Sequence, residues 1–450
     1  MKGFVPTPEV IVDTMVEKLF RNRLPRSDES LLDPGCGTGV FIEGIVRWCQ
    51  KHDSPLPRIV GIESDPKHFQ EAQKSFRHLE SVTLVNGDFL TRRDERFDYV
   101  IGNPPYVPIT GLTDDERGRY RREYRTAIGR FDLYLLFFEQ ALRLLKPEAR
   151  LVFITPEKYL YVQSAEPLRR ELARVSVEEI NLIQEAAFGE LTTYPTITTV
   201  VNSSPCRGTD IRLRDGQVRS INLRAAASSW LPLINGMDTA RPKHTLADAC
   251  LRISCGVATG ADGVYITRTS ALTAPLRRFA FMTVSGREIA VGAGMETAHS
   301  MLVPYSRSGM LLPEEQLGEL GTYLSQPEIR SQLLHRTCAL RKSWYAFHEN
   351  PPLADILRPK ILCKDIGSEP YFVVDATGEI VPRHSVYYLV PRDSSRLHEL
   401  CDYLNSDGSR QWLMSHCQRA ANGFVRLQSH VLKRMPLPAN LVSTPQLAFA

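Results

Sequence analysis

The chain is 450 residues long, 43% hydrophobic and 24% charged, with a net charge of +4; that is the composition of a globular protein with room for two or three domains. No apolar run reaches the roughly 20 residues of a membrane span, and the stretch from Met1 to Pro8 has no apolar core or cleavage site, so neither a membrane nor a signal peptide is expected. Residues 1–230 balance acid and base, so the mild excess of positive charge lies beyond residue 230, the half to suspect for contacts with a polyanion.

The first part of the chain alternates apolar runs with helical patterns, which predicts βαβ units and a parallel sheet. Val10 to Phe20 reads as an amphipathic helix, and Ser30 to Asp33 as a short strand entering a Gly-rich turn. A helix follows from Gly39 to Trp48. Further strands are expected at Arg58 to Glu63, Val82 to Val85 and Phe97 to Gly102. Phe131 to Leu145 is a strongly apolar helix stopped by Lys146-Pro147, and Ala149 to Thr155 is the next strand. Ile180 to Ile183 and Thr196 to Val201 complete the expected sheet. The polar stretch Asn202 to Gly208 marks a boundary. Residues 1–205 are therefore expected as one domain, 206–245 as a linker and 246–450 as a mixed α/β domain. In that last domain, Tyr371 to Val374 and Ser385 to Val390 read as strands, and Asn422-Gly423 as a turn. Nine scattered cysteines, an odd number, suggest a reducing compartment. Their closest pair, Cys250 and Cys255, has no second pair at ligand spacing, so no metal site is expected.

Four strand ends carry the chemistry. Asp33-Pro34-Gly35-Cys36-Gly37-Thr38-Gly39 joins a strand to a helix, and its glycines permit positive φ and close approach of backbone to a ligand. It lacks the G-x-G-x-x-G spacing and the Lys and Ser/Thr of a P-loop, which argues against a polyphosphate. Glu63 ends the second strand, where an acid can accept ribose hydroxyls. Asp88 follows the third strand and can accept from an adenine amino group, while Phe89 can pack on the ring. Each acid alone could equally cap a helix; together they fit an adenosine ligand in the crevice at the carboxyl edge of an open sheet. Asn103-Pro104-Pro105-Tyr106 follows the fourth strand. The Asn103 side-chain oxygen and the Pro104 carbonyl can hold both hydrogens of a planar amine. The prolines stiffen those acceptors, and Tyr106 offers a face for stacking a base.

With these motifs in this order, the chain resembles the gamma class of N6-adenine DNA methyltransferases. The resemblance implies a Rossmann-like methyltransferase sheet followed by a C-terminal target recognition domain, with S-adenosylmethionine as cofactor. It makes Phe4-Val5-Pro6-Thr7-Pro8 the segment at the methionine end of the cofactor, with Thr7, Asp33, Gly35, Gly37, Glu63, Asp88 and Phe89 as binding residues. Asn103, Pro104 and Tyr106 become the catalytic loop. Phe131-Asp132-Leu133-Tyr134 matches a motif that walls the pocket, and Phe188, near Tyr194-Pro195, falls where an aromatic packs on the other face of the flipped base; plain core is an equal reading for Phe188. In the C-terminal half, Ile253 to Ile266, Arg358 to Leu362 and Leu432 to Pro438 are similar to the recognition region. Arg341, Lys342, Arg358, Lys360 and Lys364 could meet phosphates, although each taken singly reads first as a solvated surface charge.

The activity so implied is methyl transfer to the N6 amino group of adenine in double-stranded DNA by base flipping. The implied setting is a restriction-modification or phage-defence system in a bacterial or archaeal cytoplasm, with a cognate endonuclease encoded separately. Two other readings stay open: a methyltransferase acting on a protein glutamine or an RNA base, and a DNA-binding module with an inactive catalytic fold.

Overall fold

The computed structural model describes residues 5–442 except 22, 94, 185–193, 224–228, 238–241, 291–293, 296 and 420–423. Phe4, Phe188 and Asn422-Gly423 therefore lie outside the described residues. The chain divides into two compact units, Met1–Thr239 and Ala240–Ala450.

The first unit is built on α1 (Glu9–Phe20), β1 (Ser30–Asp33), α2 (Val40–Lys51), β2 (Arg58–Glu63), α3 (Pro66–Phe76), β3 (Val82–Asn86), β4 (Phe97–Gly102), α4 (Asp114–Glu123), α5 (Leu133–Leu144), β5 (Leu145–Pro156), α6 (Glu166–Leu172), β6 (Ser176–Leu182) and β7 (Pro195–Val201). These strands form one sheet in the order β3-β2-β1-β4-β5-β7-β6, extended at its edge by β8 (Thr209–Arg212) and β9 (Val218–Ile221). Strands β3 to β5 pair in parallel, whereas β7 runs antiparallel between β5 and β6. The central strands are mostly apolar because both faces are covered, as parallel sheets require. Leu31, Tyr99, Ile101, Val152 and Ile154 enter one core with Val12, Met15, Ile42 and Ile45 of α1 and α2. Their neighbours Leu32, Val100, Leu151 and Phe153 enter the other core, with Leu135, Leu136 and Phe138 of α5. A period of two thus feeds two cores from one strand.

Two expectations need correction here. Residues 206–245 are not a plain linker, because β8 pairs in parallel with β6 and β9 closes a hairpin on β8. Only Thr209 and Ile211 of β8 turn inward, too short an alternation to stand out beside Gly208. The α5–β5 junction is also tighter than expected, with the helix ending at Leu144 and the strand starting at Leu145.

The second unit holds two four-stranded sheets. One is antiparallel, in the order Cys250–Cys255, Val386–Pro391, Lys360–Lys364, Phe372–Asp375. The other runs Ile266–Arg268, His299–Leu302, Ala280–Val284, Ile380–Pro382, with its last pair parallel. Helices Glu319–Leu324, Pro327–Leu334, Leu397–Leu404 and Asp407–His416 complete a mixed α/β unit. Gly256 cannot take a side chain, since a Cβ there would lie 2.3 Å from the Arg383 carbonyl oxygen. Among the nine cysteines, Cys255 is the exposed thiol, and it donates to the carbonyl of His384 at 2.6 Å. Among the described residues no helix is long and apolar enough to cross a membrane.

Candidate active site

The parallel register sets four predicted residues side by side on the carboxyl edge of the sheet. In spatial order Asp88 follows β3, Glu63 ends β2, Asp33 ends β1 and Asn103 follows β4. Asp88, Glu63 and Asn103 border a cavity of about 590 Å³, lined among others by Thr7, Gly35, Cys36, Phe89, Leu133 and Phe137. That volume suits a nucleoside-sized ligand. Asp33, Gly37, Pro104 and Tyr106 are not among its lining residues.

The Gly-rich turn is shaped by backbone needs. Gly37 and Gly39 hold φ of 55° and 97°, a region that side chains other than hydrogen disfavour. A Cβ on Gly39 would lie 2.2 Å from the Phe76 ring. Gly35 lines the cavity, with Phe137 beyond it. Asp33 is fully buried, and neither of its carboxyl oxygens meets a hydrogen-bond partner of good geometry among the described residues. Burial raises its pKa to about 8, opposed by the Gly35 N–H and reinforced by the nearby Glu63 carboxylate.

Glu63 is nearly as buried, but its oxygens are engaged. Oε2 accepts the Gly37 N–H at 2.9 Å and Oε1 accepts the Asp65 N–H at 2.6 Å. Each carboxylate oxygen has a second lone pair to offer. Asp88 caps the turn that follows it, its Oδ1 accepting from the Leu90 N–H at 2.9 Å. Its Oδ2 is ion-paired with the Arg119 guanidinium of α4 at 2.9 Å. Phe89 is buried and packs on Phe137 with ring centroids 5.0 Å apart.

The loop after β4 is held from the N-terminal segment. Asn103 Nδ2 donates to the Val5 carbonyl at 3.0 Å and to the Thr7 hydroxyl at 3.1 Å. Asn103 Oδ1 is buried without a hydrogen-bond partner among the described residues. Pro104 is buried. The Tyr106 ring lies edge-on to Tyr134 at 6.3 Å, with its hydroxyl also buried and unpartnered. Burial raises the pKa of that phenol, so it stays neutral.

Comparison with known proteins accounts for both units. A family model described as Eco57I restriction-modification methylase matches residues 48–188, and one described as TaqI-like C-terminal specificity domain matches residues 321–437. The chain thus carries an Eco57I-type restriction-modification methylase domain and a TaqI-like C-terminal specificity domain. Among relatives of the methylase, the Type II methyltransferase M.PaeR7I of Pseudomonas aeruginosa is 29% identical over 79% of the chain and 67% of the relative. The Type II methyltransferase M.XhoI of Xanthomonas vasicola is 26% identical over 79% and 71%. A structure of the Type ISP restriction-modification enzyme LlaGI shares the fold, with a TM-score of 0.51 and 15% identity over 86% of this chain; the methylase spans about half of that structure, 48%. The methyl donor of the methylase is S-adenosylmethionine.

Several functional neighbours were not legible in the methylase's sequence. Arg119 is one of six arginines between residues 117 and 130, and only the fold of α4 selects it for Asp88. The Val5 carbonyl is a backbone acceptor and leaves no side-chain signal. Of the basic residues expected to meet phosphates, Lys360 needs correction: it is fully buried and paired with Asp375 inside the second unit. Lys342 is tied to the His348 carbonyl and Asn350 Oδ1, each at 3.0 Å. Arg341 and Arg358 are exposed, and Lys364 is half-buried.

Proposed function

We propose that the methylase transfers a methyl group to the N6 amino group of adenine in double-stranded DNA. The observation that carries this reading is the Asn103 side-chain oxygen, buried beside the cavity and without a hydrogen-bond partner among the described residues. A buried acceptor without a donor costs free energy on the order of 1–3 kcal/mol, a cost recovered when a substrate amine meets it. The amine stands inside a duplex, so the base is flipped out for a few kcal/mol.

When bound, S-adenosylmethionine supplies an electrophilic methyl group on a positively charged sulfur. The cavity fits such a ligand: Glu63 has lone pairs for ribose hydroxyls, Phe89 and Phe137 give apolar walls, and Asp33 supplies a buried carboxyl near a cationic cofactor. In this reading Gly35 and Gly37 complete the cofactor cradle, and Asp88 reads the adenine. Asn103 Oδ1 and the Pro104 carbonyl accept the two hydrogens of the target amine, which localises its lone pair for attack. Tyr106 stacks on the flipped base. As the nitrogen takes the methyl group, that carbon's bond to sulfur would break to leave a neutral thioether, and the methylated amine would lose one proton to solvent; the alignment of fixed acceptors supplies most of the rate. A specificity domain behind the catalytic unit favours DNA over a small fixed target such as a glutamine side chain. The setting we propose is a restriction-modification or phage-defence system in a bacterial or archaeal cytoplasm, with a cognate endonuclease on a separate chain.

Labelled S-adenosylmethionine offered with DNA, RNA and protein tests the reading; label is expected in DNA adenine alone. Asn103→Ala should reduce turnover by at least about 100-fold while cofactor affinity by calorimetry stays near native. Native turnover in that variant, or label in RNA or protein instead of DNA, would sink the assignment.

A further inference from the structure

An amide side chain presents two ends of nearly equal size and opposite chemistry. If the nitrogen of Asn103 faced a substrate amine, donor would meet donor. Something must therefore hold the amide in one of its two orientations. Its neighbours settle which. The Val5 carbonyl can only accept, and it lies 3.0 Å from Nδ2; turned over, Oδ1 would face that carbonyl, acceptor against acceptor. The Thr7 hydroxyl, 3.1 Å from Nδ2, takes the second amide hydrogen. Both N–H bonds of the amide are thus spent on the N-terminal segment, and among the described residues Oδ1 has no partner.

Two further features support this arrangement. Val5 and Thr7 each precede a proline, Pro6 and Pro8, which restricts both to extended backbone and fixes the two acceptors in place. On the other side, an asparagine oxygen ordinarily takes the backbone N–H two residues on, in an Asx turn. Here positions 104 and 105 are both proline and have no N–H to give. The local chain cannot consume the Asn103 oxygen, and the N-terminal segment prevents it from turning away.

We infer that Thr7 is a positioning residue whose hydroxyl, together with the Val5 carbonyl, orients the Asn103 amide so that its oxygen meets the target amine. The inference rests on the proposed role of Asn103 and moves Thr7 from the cofactor to the catalytic loop. The test is single-turnover methylation by the full chain at saturating S-adenosylmethionine and DNA, with cofactor affinity measured separately. Thr7→Val, nearly equal in shape, should slow the methyl-transfer step about three- to tenfold, the effect of one lost hydrogen bond, with cofactor affinity unchanged. Thr7→Ser keeps the hydroxyl and should restore the native rate. Should Thr7→Val fail to fold, Thr7→Ala against Thr7→Ser makes the same comparison. A native rate in Thr7→Val, a Ser variant as slow as the Val variant, or a loss that appears only as weaker cofactor binding would each overturn the inference. These outcomes leave the proposed function standing, since that fails only if Asn103→Ala or the labelling experiment fails.

Discussion

Asp33 shows how far a single residue can be read and where the reading stops. Its place at the end of a strand, before a Gly-rich turn, is legible because strand, turn and helix each have a local signature. Its protonation state is not, because that depends on burial contributed by β2, β4 and the turn together. With the pKa raised from 3.8 to about 8, the folded ligand-free protein keeps a proton that the unfolded chain releases above about pH 4. Between those values unfolding releases a proton, so this contribution to stability falls as pH rises and levels off above about pH 8. Asp33→Asn removes the titration. Its thermal midpoint should therefore decline less between pH 5 and pH 8 than that of the native protein. Equal declines in the two proteins would mean that Asp33 is ionised throughout.

At the scale of elements, three strands of the first unit were legible to the residue, whereas β5 and β6 each begin four residues before the expected start. Ser30–Asp33, Arg58–Glu63 and Phe97–Gly102 match the expected bounds because buried parallel strands are short apolar runs with polar stops. β8 and β9 were not legible, since an edge hairpin with two buried side chains on β8 and none on β9 lacks such a run. α4 was also missed: it is mostly charged, and its Thr113-Glu116 capping box is the one strong local mark. The turn into α2 shows an element whose local rule is strict. Gly39 is its N-cap at φ 97° with no side-chain cap, so the glycine is required by conformation and by the Phe76 ring alike. Gly39→Ala should cost more than about 1 kcal/mol in chemical denaturation and weaken cofactor binding by calorimetry, because the turn carries the cavity wall. An unchanged denaturation midpoint would show that the turn adapts.

At the scale of the whole molecule, chemistry and specificity are divided along the chain. Every residue lining the cavity lies in the first unit, and the match to the specificity domain lies in the second. Lys360 belongs to that second unit as a structural pair, not as a surface charge: Asp375 also receives the Gly378 N–H at 2.9 Å, the Thr377 hydroxyl at 3.0 Å and the Ile380 N–H at 3.2 Å. Sequence could not reveal this, because a lysine in a strand looks the same whether it faces water or an aspartate across the ladder. Lys360→Met leaves Asp375 charged and buried and should cost roughly 3–5 kcal/mol of stability in urea, with cofactor affinity in the first unit unchanged. A stable variant with a shallower salt dependence of DNA binding would instead return Lys360 to the role of a phosphate contact. The distribution of thiols has a practical consequence. Cys255, the exposed one of nine, lies in the specificity unit, and partial burial holds its pKa above the ordinary value. Exposure rather than acidity would direct a maleimide at mildly alkaline pH to Cys255, with the half-buried Cys206 as the competing thiol. The native chain thus carries its own attachment point for a fluorescent reporter of DNA engagement, with no substitution near the residues that transfer the methyl group.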